Sequence, residues 1–237
     1  MKNSGKLKRT GLLTLTVIVF ASVTAFANTV TFFNSDGSLV SNSARTTLSL
    51  SSSLLTGISG LSGFGVPDQS VTYSSCHATG CLGSVGFTTG TKATGFLFSP
   101  SATFNSGGSI AVTGSNFTFT GSFAAGAMWT CTPTGTNTCN GTGTGGTWFF
   151  NGTVMGGMLT INGHTYVIDT AATVQLTTSG ANPTGGATGP LTWTDAGGTT
   201  TFAAPVPEPG SLGLVGSGLV VLGALAKQRA SRRNASL

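Results

Sequence analysis

Residues 158–168 read Met-Leu-Thr-Ile-Asn-Gly-His-Thr-Tyr-Val-Ile. The central Asn-Gly dipeptide is the strongest short-range signal for a β-hairpin with a two-residue turn. Apolar and polar residues alternate on either side of it, as they do in strands with one buried face. The residues that share the apolar face are Leu159, Ile161, His164, Tyr166 and Ile168. This stretch therefore predicts an antiparallel hairpin.

A second hairpin is predicted over residues 109–120, where Gly114-Ser115 suits a type II′ turn. Such a two-residue loop pairs Val112 with Phe117 and brings Ile110 and Phe119 onto the same face. A slip of one residue would move this apolar set to the other face, so the pattern supports the register.

The remaining chain between residues 28 and 204 also has the pattern of strands rather than helices. Short runs of Val, Ile, Thr and Phe are separated by Gly and Ser, which is typical of β-sheets. The sequence therefore predicts an all-β, antiparallel sandwich or barrel-like domain, with a jelly roll as one option. The further candidate strands are 29–33, 46–50, 70–73, 85–88, 95–99, 127–131, 147–151, 172–178, 191–194 and 199–203, with low-complexity loops at 133–146 and 179–190.

The first 27 residues have the three parts of a secretory signal peptide. Four basic residues come first, and an apolar stretch predicts a signal helix. Ala25 and Ala27 form an A-x-A site, so we expect signal peptidase to cut before Asn28. The basic residues are Lys2, Lys6, Lys8 and Arg9.

The last 33 residues, 205–237, form a second tripartite segment. Val206-Pro207-Glu208-Pro209 comes first, and its prolines exclude regular helix or sheet. An apolar, glycine-containing run from Ser211 to Ala226 follows, slightly short for a membrane-spanning helix. The basic residues behind it favour the cytoplasmic side. They are Lys227, Arg229, Arg232 and Arg233.

This order of Pro-Glu-Pro, apolar helix and basic end resembles the PEP-CTERM sorting signal of Gram-negative bacteria, a tail also named the ice-binding protein C-terminal domain. The resemblance covers only the last 30 or so residues. It implies recognition and removal of the tail by an exosortase, and hence a membrane intermediate followed by the cell surface or extracellular matrix. The alternative is a plain C-terminal membrane anchor.

The formal net charge of +5 comes from the two terminal segments. Between residues 28 and 204 only Arg45 and Lys92 are basic. They stand against four aspartates, which leaves that part with a net charge of −2. Without a basic patch, phosphate-backbone binding has no electrostatic basis, so we expect no nucleic-acid partner. The aspartates are Asp36, Asp68, Asp169 and Asp195.

Four cysteines in an exported chain favour two disulfides, and three connectivities are possible. We prefer the two local pairs, Cys76–Cys81 and Cys131–Cys139. The alternative is a zinc site in which His77 joins the first pair, although its spacing suits zinc poorly.

Catalytic signatures are weak in this sequence. His164 with Asp169 is the best acid–base candidate, but a histidine beside a turn is the simpler interpretation, so we expect no enzyme and no cofactor. A structural or adhesive surface protein, with exopolysaccharide as a candidate partner, is the main hypothesis. A module that binds carbohydrate or ice is the alternative. Carbohydrate binding would use exposed aromatic residues. The candidates are Trp129, Trp148 and Trp193, unless these residues belong to the core. Ice binding would need a flat and regular ladder of threonines, which the irregular Thr spacing does not show.

Overall fold

Strands dominate the computed structural model, which describes residues 27–133, 139, 146–178, 184 and 189–205. Within these residues there are thirteen strands, one short α-helix and one 3-10 turn. The helix α1 is Tyr73–Thr79 and the 3-10 turn is Ser62–Phe64. The strands are β1 Ala27–Ser41, β2 Leu48–Ser59, β3 Gln69–Ser70, β4 Gly83–Thr89, β5 Lys92–Gly95, β6 Ser101–Phe104, β7 Gly108–Gly114, β8 Phe117–Phe123, β9 Ala127–Pro133, β10 Gly146–Ile161, β11 His164–Ile168, β12 Ala172–Thr178 and β13 Thr192–Pro205.

Eight of these strands close into an antiparallel barrel. Their order is β12-β13-β1-β2-β4-β7-β8-β10, and a further pairing of β10 with β12 completes the circle. The predicted all-β class is confirmed in its barrel form, and the sandwich and jelly-roll options are wrong. Closure satisfies the strand edges that a sandwich leaves open. Ala27–Pro205 forms one compact unit.

The long strand β10 joins the barrel to a side sheet. Its first half pairs with β9 and β12, and its second half pairs with β8 and β11. The change coincides with a register shift between Met155 and Met158, where Gly156 has a φ of 61°. A bulge of this kind bends a strand and increases its twist. Strands β6 and β5 extend the side sheet beyond β9.

Aromatic side chains fill the barrel in three groups. Phe119 stacks on Phe202 with ring centroids 4.4 Å apart, and Phe87 stacks on Phe150 at 4.9 Å. The third group is the three tryptophans, all buried. Stacked and edge-to-face pairs of this kind add to the free energy of apolar burial.

The Asn-Gly hairpin is confirmed, with φ of 49° at Asn162 and 83° at Gly163. In the other hairpin the predicted faces are right but the register is wrong by two residues, because Val112 pairs with Phe119 and not with Phe117. A Cβ at Gly114 would lie only 2.2 Å from the Phe117 ring. That ring lies over the glycine and widens the turn.

Several strand limits also differ from the prediction. Residues 96–99 form a turn, since Gly95 has a φ of 74° and Ser99 N donates to Phe96 O. Residues 73–79 are helical, with the Thr72 side chain accepting from Ser75 N at the helix start. The candidates at 147–151 and 158–161 are one strand, β10, and β6 was not predicted.

Candidate functional site

A groove of about 510 Å³ lies on the outside of the barrel, where β1, β2 and β3 run side by side. The register pairs Phe33 with Gly57 and Gly57 with Ser70, which places one residue of each strand in a row across it. Its volume is within the ~300–1,000 Å³ that is usual for small-ligand sites. The lining residues are Phe33, Thr56, Gly57, Ile58, Ser59, Asp68, Gln69, Ser70 and Val71.

The floor of the groove is an aromatic ring on the sheet surface. Phe33 is 44% exposed, and its ring lies over Gly57, where an added Cβ would be 2.8 Å from the Phe33 Cδ2. Gly57 therefore permits the ring to lie close to the sheet. Residue type alone would place Phe33 in the core, like its neighbour Phe32. Successive strand residues point to opposite faces, so Phe32 and Phe33 could not both be buried in the barrel.

Polar groups surround this ring on one side. Asp68 Oδ1 accepts a hydrogen bond from Gly60 N at 2.8 Å, which fixes the carboxylate at the edge of the groove. Gln69 and Ser70 are exposed on β3, and Thr56 Oγ1 donates to the carbonyl oxygen of Phe33 at 3.3 Å. The groove thus combines an apolar platform with one carboxylate, one amide and several hydroxyl groups.

A row of threonines also crosses the outer surface, although the sequence spacing does not reveal it. Antiparallel pairing aligns residues from four neighbouring strands, and Thr31 and Thr201 hydrogen-bond through their Oγ1 atoms at 3.2 Å. Eight strands close the circle, so successive strands turn by roughly 45° on average and the row is curved. A curved row does not match the flat ladder that ice binding would need. The row is Thr153, Thr173, Thr201 and Thr31.

The two ends of the barrel segment are neighbours. Ala27, at the start of β1, pairs with Pro205, at the end of β13, and Asn28 pairs with Ala204. The predicted signal-peptidase site and the Pro-Glu-Pro segment are therefore attached to adjacent strand ends. Residues 1–26 and 206–237 lie outside the described residues.

The family model of the PEP-CTERM protein-sorting motif matches residues 205–230. The chain carries a PEP-CTERM sorting motif. This motif implies processing by an exosortase and export through the membrane to the cell surface. No curated protein and no solved structure matches the chain.

The predicted membrane helix and signal helix of this PEP-CTERM chain, at 211–226 and within residues 1–27, fall outside the described part. No helix within the described part has the length and hydrophobicity needed to cross a membrane.

Both predicted disulfides are present. Cys76 and Cys81 are bonded with a Cα–Cα distance of 4.4 Å, and Cys131 and Cys139 with one of 5.9 Å. Both thiols of the first pair are used in this bond, so the zinc alternative with His77 does not form here. Each bond closes a short loop.

The three tryptophans are not the exposed aromatic residues that a carbohydrate surface would need. All are buried, and Trp129 stacks on Trp148 with ring centroids 5.3 Å apart. Trp129 Nε1 donates to Leu97 O at 3.1 Å. The Nε1 atoms of Trp148 and Trp193 have no hydrogen-bond partner among the described residues. Their interpretation as core residues is confirmed.

The structure does not bring His164 and Asp169 together. His164 is exposed at the first position of β11, and Asp169 follows the last residue of that strand. Their Cα atoms are five strand steps apart, which corresponds to roughly 16 Å. Residues 36–38, Asp-Gly-Ser, lie within β1 at a bulge where Gly37 pairs with Ala196. There, Asp36 Oδ2 accepts a hydrogen bond from the Tyr73 hydroxyl at 2.6 Å.

Proposed function

We propose that the barrel is a structural or adhesive module, which is exported, sorted by an exosortase and placed at the cell surface or in the extracellular matrix. The sorting motif carries this proposal, since its match begins at the last residue of the final strand. No long linker separates the module from the segment that the processing enzyme recognises.

The composition of the barrel surface supports an adhesive role. Strand β12 contains no charged residue, and its outward positions are Thr173, Gln175 and Thr177. Such a surface offers hydroxyl and amide groups without a field that would repel or attract ions. A neutral extracellular polymer such as exopolysaccharide is the partner that this surface favours. We assign the barrel no catalytic role.

The test is to replace Pro207, Glu208 and Pro209 by alanine in the native host. Export depends on residues 1–27 and membrane retention on residues 211–233, and the change alters neither. The variant should therefore be exported, lose its signal peptide and accumulate in the membrane fraction without trimming of its tail. Fractionation with intact-mass measurement shows the outcome. Normal trimming and release of this variant would favour a simple C-terminal anchor.

A further inference from the structure

We propose that the groove over Phe33 binds a neutral saccharide unit. This proposal deepens the adhesive role, because it assigns that role to named residues. It rests on the proposed function, which supplies the extracellular polymer. The ligand class follows from the lining of the groove, its local charge and its shape.

The lining matches both parts of a sugar ring. A pyranose has faces made of C–H groups and a rim of hydroxyl groups, so it needs an apolar platform with polar groups at the edge. The exposed face of Phe33 supplies the platform. Asp68 can accept hydrogen bonds from hydroxyl groups, while the Gln69 amide can both donate and accept. Binding sites of this type usually combine aromatic surface with a few placed polar groups.

The charge of the groove selects against acidic sugars. Asp68 is the one charged residue among those that line it. The two basic residues of the barrel segment lie at the far end of β2, where the Lys92 backbone N–H donates to Thr46 O. A uronate or a sulfated sugar would meet the Asp68 carboxylate, and no basic residue is among those that line the groove.

The shape of the groove favours a chain over an enclosed small molecule. It is an open trough on the sheet surface, and β3, which forms one wall, is only two residues long. The row of paired residues continues from Phe33 to Thr199 on β13 and Gln175 on β12, so polar side chains extend the surface beyond the ring. A polymer lying along this row could contact the platform through one unit and the amide of Gln175 through another.

The experiment uses the mature protein from the host with Phe33→Ala, Phe33→Trp and Gln69→Ala, and with Phe149→Ala as the matched control. Phe149 is also a partly exposed phenylalanine on the outer surface, but it lies on β10, away from the groove. Binding is measured by titration with neutral gluco-, manno- and galacto-oligosaccharides and with oligomers of alginate and polygalacturonate. Thermal unfolding of each variant shows that it is folded.

At least one neutral series should bind, and Phe33→Ala should weaken it by roughly tenfold or more, which is typical of the loss of an aromatic contact. Phe33→Trp should retain binding, Gln69→Ala should weaken it, and the Phe149 variant should bind as the wild type does. Equal losses for the Phe33 and Phe149 variants would overturn the assignment to this groove. Binding of acidic oligomers alone, or of no oligosaccharide at all, would overturn the ligand class. Sorting is measured separately by fractionation, so failure of that proposal is distinguishable from failure of this one.

Discussion

The stacked indoles of Trp129 and Trp148 allow a comparison between an indole N–H group that has a hydrogen-bond acceptor and one that has none. Both side chains are fully buried in the same stack. Trp129 Nε1 donates to Leu97 O, while Trp148 Nε1 has no partner among the described residues. Replacing either tryptophan by phenylalanine removes a similar part of the ring, so the cavity cost is similar for both variants. The remaining difference in the free energy of unfolding between the two variants therefore reports on the hydrogen bonding of the indole N–H group.

In Trp129→Phe the carbonyl oxygen of Leu97 loses its hydrogen-bond donor. A buried polar group without a hydrogen-bond partner lowers the free energy of unfolding by about 1–3 kcal/mol. In Trp148→Phe an unpaired buried donor is removed, which relieves a cost of about the same size. The free energy of unfolding should therefore be lower in Trp129→Phe than in Trp148→Phe by ~2 kcal/mol or more. For a domain of this size that is a difference of roughly 4–8 °C in Tm.

Urea unfolding of the mature protein followed by far-ultraviolet circular dichroism measures both values, since tryptophan fluorescence would change with the substitution itself. The slope m should be the same in the two variants. Equal destabilisation, or a larger loss in Trp148→Phe, would refute the reasoning and show that the Trp148 N–H is satisfied in the folded protein.

Two further predictions concern the disulfides and the tail. Replacing Cys131 and Cys139 by serine should lower the free energy of unfolding by about 2.5 kcal/mol, because their disulfide closes a loop with a sequence separation of 8. Replacing Cys76 and Cys81, whose sequence separation is 5, should lower it by about 2 kcal/mol. Denaturation without reductant measures both, and no loss in either variant would contradict the loop-entropy estimate. Deletion of residues 211–237 should give a soluble barrel in the periplasm, which fractionation would show, whereas recovery in the membrane would assign the retention to another part of the chain.

The local alternation of apolar and polar residues was enough to predict many of the strands that form the barrel. Alternation identified the buried faces of both hairpins, apart from His164, which is exposed at the start of β11, and Asn162-Gly163 determined the position of one turn. The register of the other hairpin depends on the Phe117 ring over Gly114, which is a contact between side chain and backbone that no two-residue turn rule contains. Closure depends on the pairing of β10 with β12, including Trp148 with Thr178. Such a non-local contact leaves no trace in the periodicity of either strand.

The candidate groove was missed for a related reason. Residue type alone does not distinguish the exposed Phe33 from its neighbour Phe32, which occupies the inward position on β1. The tryptophans were considered as surface ligands by their type, although each lies at an inward position between two outward-facing neighbours, such as Thr192 and Thr194 beside Trp193. In both cases strand parity decides the side, and parity could be applied only where the strand limits were known. Gly57, which makes room for the ring, pairs with Phe33 on β1 and with Ser70 on β3, and the alternation within a single strand predicts neither pairing.

The separation between groove and tail gives a last prediction. Phe33 lies on β1 and contacts β2, whereas the processing enzyme is proposed to recognise residues 207–209, which follow β13. The Phe33→Ala variant should therefore be exported, trimmed and released as the wild type is, and the Pro-Glu-Pro variant, extracted from the membrane with detergent, should bind oligosaccharide with unchanged affinity. Both measurements use variants already described. Membrane retention of folded Phe33→Ala would mean that the barrel surface takes part in processing, and the adhesive and sorting roles would then share a site.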